Sequence, residues 1–290
     1  MPEKPSIERI RKHLEFIARP RNPFQNPGTL REVQQYIEGE FQSYGYQIEK
    51  HAFEFQDQKF ENVIASSHPQ TSFFIIAAHF DGVLDSPAAD DNASGVACML
   101  ETARLLPGSY RSKIKFVAFN LEESGMIGSI EFVKTVLTIC GMISLEMVGY
   151  TSDKKGSQQL PVYLKPFYPD TGNFLALVGD GNSRKLLKVA ENSFRMVGAD
   201  LVSAQGQPQG LPLPIQTLTV PGKGWLLPET RLSDHSPFWD AGIPALLVTD
   251  TSFFRNPHYH TPNDTIDTLN IPFIAAVTEG VLHFASGLNF

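Results

Sequence analysis

Five stretches of the sequence carry side chains able to bind a cation or move a proton. His79 and Asp81 stand two apart in AAHFD, which puts both on one face of a strand and suits an imidazole whose second nitrogen is held by a carboxylate. The alternative is a strand-end histidine in a polar loop. Asp90-Asp91-Asn92-Ala93-Ser94-Gly95 leads into a helix, where Asp or Asn ordinarily caps orphan N–H groups. One cap suffices, so a carboxylate there is also available as a hard ligand for a divalent metal. Glu122 and Glu123 are adjacent, and adjacent carboxylates repel unless a cation or a proton resolves the conflict. If one binds metal, the other is free for proton transfer, the division of labour of metal-assisted hydrolysis. Otherwise the pair is a solvated acidic loop. Glu146 is a lone charge in the apolar run ISLEMVG and needs a partner there. The proline-flanked loop at 256–265 supplies two histidines, His258 and His260. His79, Asp91, Glu123, Glu146 and His260 together make three carboxylates and two imidazoles, with Glu122 left over. That set suits borderline divalent ions, zinc above all, and fits two ions sharing one carboxylate better than a single tetrahedral ion.

The elements that must position these groups are legible as periodicity. Ile7, Ile10, Leu14 and Ile17, then Leu30, Val33, Ile37 and Phe41, repeat at helical spacing and predict two amphipathic helices around the turn ARPRNPFQNPG. Residues 46–55 alternate; ENVIASS, TSFFIIAAHF, KIKFVAFN, GMISLEMVGY and PALLVTD read as strands, TSFFIIAAHF being apolar on both faces as a central strand should be. Val96, Met99, Leu100, Ala103 and Leu106 predict a helix from near Asn92, SRKLLKVAENSFRMV a second, and IPFIAAVTEGVLHFASG a closing one. Strand, helix, strand implies a right-handed parallel crossover, and the whole an α/β sheet covered on both faces, as one domain over residues 1–290. In such sheets working groups gather at the carboxyl ends of strands, where His79, Glu122, Glu123 and Glu146 fall. Two long connections are expected, at 151–176 and 203–232, the second rich in proline.

With 24 basic against 31 acidic residues the net charge is −7, and 42% of the 290 residues are hydrophobic. This excludes disordered, collagen-like and coiled-coil chains. The absence of any Lys/Arg-rich block argues against nucleic acid or an anionic membrane as partner. Cys98 and Cys140 form no CxxC pair and read as buried free thiols. The N-terminus mixes charges where a secretory signal needs an apolar run, and the longest apolar run, 73–78, is far short of the roughly 18 residues of a membrane span. The chain therefore reads as soluble and cytoplasmic, with no signal for oligomeric state.

The fragments AAHFD, ADDNASGVA, NLEESGMIGS, LEMVGY, SDHSPFWDAGIPALLV and YHTPNDT, in this order from about residue 75 to 265, resemble the co-catalytic zinc aminopeptidase family that also contains glutamate carboxypeptidase and the glutaminyl cyclases. The resemblance implies a mixed, mostly parallel central sheet sandwiched between helices, and two divalent ions, zinc foremost. It implies His79 on one ion, Asp91 bridging, Glu123 and His260 on the second, and Glu146 at the remaining carboxylate position. There the commonest family pattern has Asp, and the added methylene moves the carboxylate by roughly one C–C bond. By the same resemblance Glu122 is the general base, Asp81 the partner of His79, Tyr259 a hydroxyl that helps hold the oxyanion, and Asp234 lies near the pocket. The implied reaction removes N-terminal residues from peptides with a free N-terminus; glutaminyl cyclisation and a non-catalytic relative are the alternatives. A Ser/His/Asp hydrolase built on Asp234 and His235 lacks a GxSxG elbow. Trp225, Leu226 and Leu227, in the 203–232 connection, are expected to shape a pocket for large apolar N-terminal residues; the alternative is that they seal the core.

Overall fold

The computed structural model describes residues 3–67, 72–135, 138–197 and 213–288; the first ten residues of the 203–232 connection lie outside them. Its strands are β1 (Gln47–Phe55), β2 (Gln58–Ser66), β3 (Phe73–His79), β4 (Ile114–Phe119), β5 (Ile139–Glu146), β6 (Leu175–Asp180), β7 (Ile215–Val220) and β8 (Ala245–Thr249). They form one sheet in the order β1-β2-β4-β3-β5-β8-β6-β7. The inner strands β4, β3, β5 and β8 are mutually parallel, while β1, β2 and β6 pair antiparallel with their inward neighbours and β7 runs parallel to β6. The sheet is thus mixed with a parallel centre, as expected.

Strand β3 shows why its sequence is continuously apolar. Phe74, Ile76 and Ala78 enter one core and Phe73, Ile75 and Ala77 the other, and a strand buried on both faces has no polar side to show. The helices are α1 (Ile7–Ile17), α2 (Pro27–Ser43), α3 (Gly95–Leu105), the single turn α4 (Gly108–Arg111), α5 (Ile127–Thr135), α6 (Arg184–Arg195), α7 (His235–Asp240) and α8 (Ile271–Gly287). The core of the first face lies under α1, α2, α3, α6 and α8, that of the second under α5 and α7. Among the described residues no helix is long and apolar enough to cross a membrane.

Four expectations are corrected. Helix α3 begins at Gly95 rather than near Asn92, because Ala89–Ser94 is an irregular turn in which Asp91 and Asn92 leave helical backbone angles. The Asn92 side chain drives this: it accepts from Gly95 N at 3.1 Å and Met147 N at 3.1 Å and donates to the Leu145 carbonyl at 2.8 Å. Only glycine fits at 95, since a Cβ would overlap the Asn92 amide oxygen and the Leu145 carbonyl. Strand β6 begins inside the 151–176 connection. Strand β7 lies inside the 203–232 connection; its flanking Pro214 and Pro221 mimic a loop, yet proline is tolerated around an edge strand. Cys98 is buried, but Cys140, at the edge of β5, is only half-buried, with its Sγ 2.7 Å from Ser72 Oγ.

Candidate active site

The parallel strands β3, β4 and β5 end at one edge of the sheet, and each end brings one or two ligand-type side chains. His79 closes β3, Glu146 closes β5, and Glu122 and Glu123 follow β4. Asp91 comes from the turn ahead of α3 and His260 from the loop between β8 and α8. The structure gathers all six. His79 Nε2 stands 3.2 Å from Asp91 Oδ1, 3.3 Å from Glu146 Oε1 and 3.9 Å from Glu122 Oε2. His260 Nε2 stands 3.0 Å from Asp91 Oδ2 and 3.2 Å from Glu123 Oε2. Asp91 therefore turns one oxygen to each imidazole, and the two sets share only that residue.

Backbone and side-chain bonds hold these groups. Asp81 does more than face His79, whose Nδ1 lies 3.4 Å from its Oδ1: its carboxylate accepts the N–H groups of Glu122 at 3.1 Å and Glu123 at 3.2 Å, orienting both glutamates. Asp264 accepts from Asp90 N at 2.9 Å and Asp91 N at 3.1 Å. Ser233 Oγ donates to Glu146 Oε2 at 2.8 Å, leaving Oε1 facing His79, so the longer glutamate arm still reaches the ligand set. Of the acidic run, only Asp91 faces the imidazoles; Asp90 accepts from Gly149 N at 2.9 Å and Asn256 Nδ2 at 2.7 Å. Buried Arg21 donates to the carbonyls of Phe80, Pro87 and Ala88, clamping the chain beside His79 to the chain leading to Asp91. Sequence reasoning named Asp81 as the partner of His79 but missed Asp264, Ser233 and Arg21 as supports. Asp264 and Ser233 sit inside fragments that signalled the site, whereas Arg21, in a proline-rich turn, carries no such signal.

Local backbone conformation adds to the placement. Leu121 before Glu122, Met147 after Glu146, and His260 itself adopt left-handed φ values of 57°, 49° and 56°. Such conformations cost about 1 kcal/mol or more in a residue with a side chain and persist where the surroundings enforce them, often at functional sites.

Charge is concentrated here. Burial raises Glu122 well above the usual carboxylate range; His79 opposes that rise, while Glu146, Glu123 and Asp234 add to it. Burial, with Asp91 beside it, lifts Glu123 to about 7. Asp91 goes the other way, because hydrogen bonds from His260 and His79 outweigh burial and hold it low. Burial disfavours the charged form of His260, yet Asp91 and Glu123 raise it to about 10. Asp234 is fully buried and pushed up to about 7 by burial.

The donor set fits divalent metal. His79, Asp91 and Glu123 offer ligand atoms within 4.8 Å of one another, and Glu123 Oε1 is buried without a hydrogen-bond partner. Ligand atoms about 2.0–2.1 Å from a tetrahedral zinc stand about 3.3 Å apart, and the spacings of 3.0 to 3.3 Å from His79 and His260 to Asp91, Glu146 and Glu123 are close to that edge length.

Two other histidines considered from the sequence stay apart from this set. His258 packs edge-on against Tyr150 instead. His235 Nε2 meets the Thr230 carbonyl at 2.7 Å, its Nδ1 has no partner, and burial pushes the ring down to about 3, so no Asp234–His235 relay exists. Tyr259 stacks on His260 at 3.7 Å between ring centroids and lines the adjoining cavity.

That cavity opens to solvent and, counted with the solvent at its mouth, spans about 980 Å³, with Asp91, Glu122, Glu123 and Glu146 in its lining. Its apolar walls come from Leu160, Pro161, Leu164 and Phe174 of the 151–174 segment, with Leu218 of β7 and Phe253. The expectation for Trp225, Leu226 and Leu227 is corrected. Trp225 and Leu226 are 65% and 75% exposed and line nothing there, and Leu227 packs against the second-face core. The reason is local: Arg231, ion-paired to Asp240 at 2.6 Å, holds its guanidinium 3.8 Å from the Trp225 ring centroid and keeps that ring on the outside. The same connection still contributes Leu218, Glu229, Thr230 and Leu232 to the wall.

The model of the family described as peptidase family M28 matches residues 62–285, a span that contains every ligand-type residue named above. The chain belongs to peptidase family M28. This M28 peptidase is accordingly a hydrolase, and its family and its donor set together imply divalent metal. It is 33% identical to the uncharacterized protein YfbL of Escherichia coli (strain K12), over 97% of this chain and 88% of that one. The solved structure of BSAP, a zinc aminopeptidase from Bacillus subtilis, is 26% identical with a TM-score of 0.55, over 80% of this chain and 50% of that one. A glutaminyl cyclase from Macrostomum lignano shares the fold, with a TM-score of 0.70 at 18% identity over 97% of this chain and 89% of that one.

Proposed function

We propose that this M28 peptidase is a metal-dependent aminopeptidase that releases the N-terminal residue from peptides with a free N-terminus, using two divalent ions, zinc foremost. The observation that carries the reading is the two-sided Asp91 carboxylate, 3.2 Å from His79 on one oxygen and 3.0 Å from His260 on the other. His79, Asp91 and Glu146 would hold one ion, and His260, Asp91 and Glu123 the second. When bound, such ions polarise the scissile carbonyl and acidify the hydrolytic water. A carboxylate-rich floor beside an apolar cavity suits a substrate that presents an ammonium group next to a side chain to be buried.

Glu122 is the glutamate left for proton transfer. Burial raises its proton affinity above that of an ordinary carboxylate, which suits it to take a proton from the water and to return it to the departing amine. Asp81 keeps Glu122 in register through its backbone N–H. Burial and the surrounding carboxylates raise Tyr259 above the ordinary phenol range, so it keeps the proton that an oxyanion donor needs.

The test is a panel of aminoacyl chromogenic amides on metal-stripped and zinc-reconstituted protein. Stripping should lower turnover at least about 100-fold and zinc should restore it. Release of ammonia from N-terminal glutamine, with no free amino acid from any substrate, would overturn the reading in favour of cyclisation.

A further inference from the structure

The cavity beside the ligand set holds one carboxylate that the reaction does not use. We propose that Glu229 makes the pocket selective for N-terminal residues whose side chain ends in a cation, lysine or arginine, over apolar side chains of equal length; the proposal rests on the aminopeptidase reading.

Glu229 lies in the turn Pro228–Arg231 between β7 and α7 and lines the cavity. Its Oε2 is buried and has no hydrogen-bond partner among the described residues. The cations nearest in sequence are committed elsewhere. Arg231 donates to Asp240 Oδ2 at 2.6 Å and to the Lys223 carbonyl at 2.6 Å, and Lys223 Nζ donates to the Asp240 carbonyl at 3.0 Å. Among the described residues, no lysine, arginine or histidine lines the cavity. Its lining holds, among the described residues, five carboxylates, of which Asp91, Glu122, Glu123 and Glu146 belong to the ligand set and its base, which leaves Glu229 with its Oε2 unpartnered.

A carboxylate oxygen withdrawn from water without a partner is costly, so a ligand that supplies a donor gains what an apolar ligand cannot. Lysine and arginine have the form required. Their methylene stems bury against apolar surface while the charged head seeks a polar group, and Leu160, Leu164, Phe174, Leu218 and Phe253 provide that surface. An acidic side chain of similar length would meet Glu229 with like charge.

The experiment uses the zinc-reconstituted full chain and coumarin amides of lysine, arginine, norleucine and glutamate. Lysine and norleucine share the same four-carbon stem and differ by the ammonium group. A charge-assisted hydrogen bond in such a setting corresponds to about tenfold or more in affinity, so wild-type kcat/KM for lysine should exceed that for norleucine by about that factor. In Glu229→Gln the ratio should fall about tenfold, mostly through KM, with norleucine turnover within about threefold of wild type. Glu229→Lys should reverse the order of lysine and glutamate. A wild-type ratio at or below one, or a ratio that Glu229→Gln leaves unchanged while norleucine is still cleaved, overturns the proposal and leaves the aminopeptidase reading standing. Failure to cleave any of the four amides overturns both.

Discussion

Replacing Glu122 with Gln should remove one function and leave the rest of the site in place. The exchange is isosteric. Glu122 Oε2 is 3.9 Å from His79 Nε2, beyond hydrogen-bonding range, so no bond to the ligand set is lost. The backbone N–H that Asp81 holds at 3.1 Å is unaffected. The substitution also takes one carboxylate out of a buried group that contains Glu146, Glu123 and Asp234, so the metal-free protein should be no less stable. An amide accepts no proton at neutral pH, however. The loss of a positioned base is worth about 10² to 10⁴ in kcat, or about 2.7–5.4 kcal/mol of barrier. Steady-state kinetics on a leucine amide, with zinc measured by mass spectrometry, should show that fall in kcat with KM within about threefold and full metal content. A metal-replete variant within about tenfold of wild-type kcat would refute the assignment. So would a loss of activity that added zinc reverses, since Glu122 would then be a ligand rather than the base.

Asp264→Asn should weaken zinc binding about tenfold and lower stability by about 1–3 kcal/mol, because the amide offers an acceptor to only one of the two N–H groups that Asp264 now satisfies at Asp90 and Asp91. Chelator competition and urea unfolding measure the two effects, and unchanged zinc affinity would remove Asp264 from the support of Asp91. His13 gives a pH signature away from the site: burial pushes its imidazole down to about 4. The unfolded chain therefore binds the extra proton first. His13 contributes its full stability above pH 6.5 and loses it as the pH falls toward 4, with about 2 kcal/mol gone by pH 5. Urea unfolding at pH 7 and pH 5 should show a smaller decline in His13→Gln than in wild type; equal declines would contradict the argument.

Residue type and local period are properties of short segments, and what depends on them was readable from the sequence. The parallel centre of the sheet followed from the two-faced apolar run of β3, the opening helices from the spacing of residues such as Leu14 and Leu30, and the ligand candidates from His79, Asp91, Glu123, Glu146 and His260 standing in polar or anomalous positions. Direction was not readable. Asp90 and Asp91 are identical in type and adjacent, and only the fold, through Asp264 and the path of the turn, sends one to Gly149 and the other between two imidazoles. Trp225 carries the most apolar surface of its loop and still lies outside, because Arg231 and Asp240 hold it there. The cavity takes its wall instead from residues such as Leu160 and Phe253, far apart in the chain. Which side chain faces which depends on pairing and packing between segments separated by scores of residues, and no local pattern contains that information.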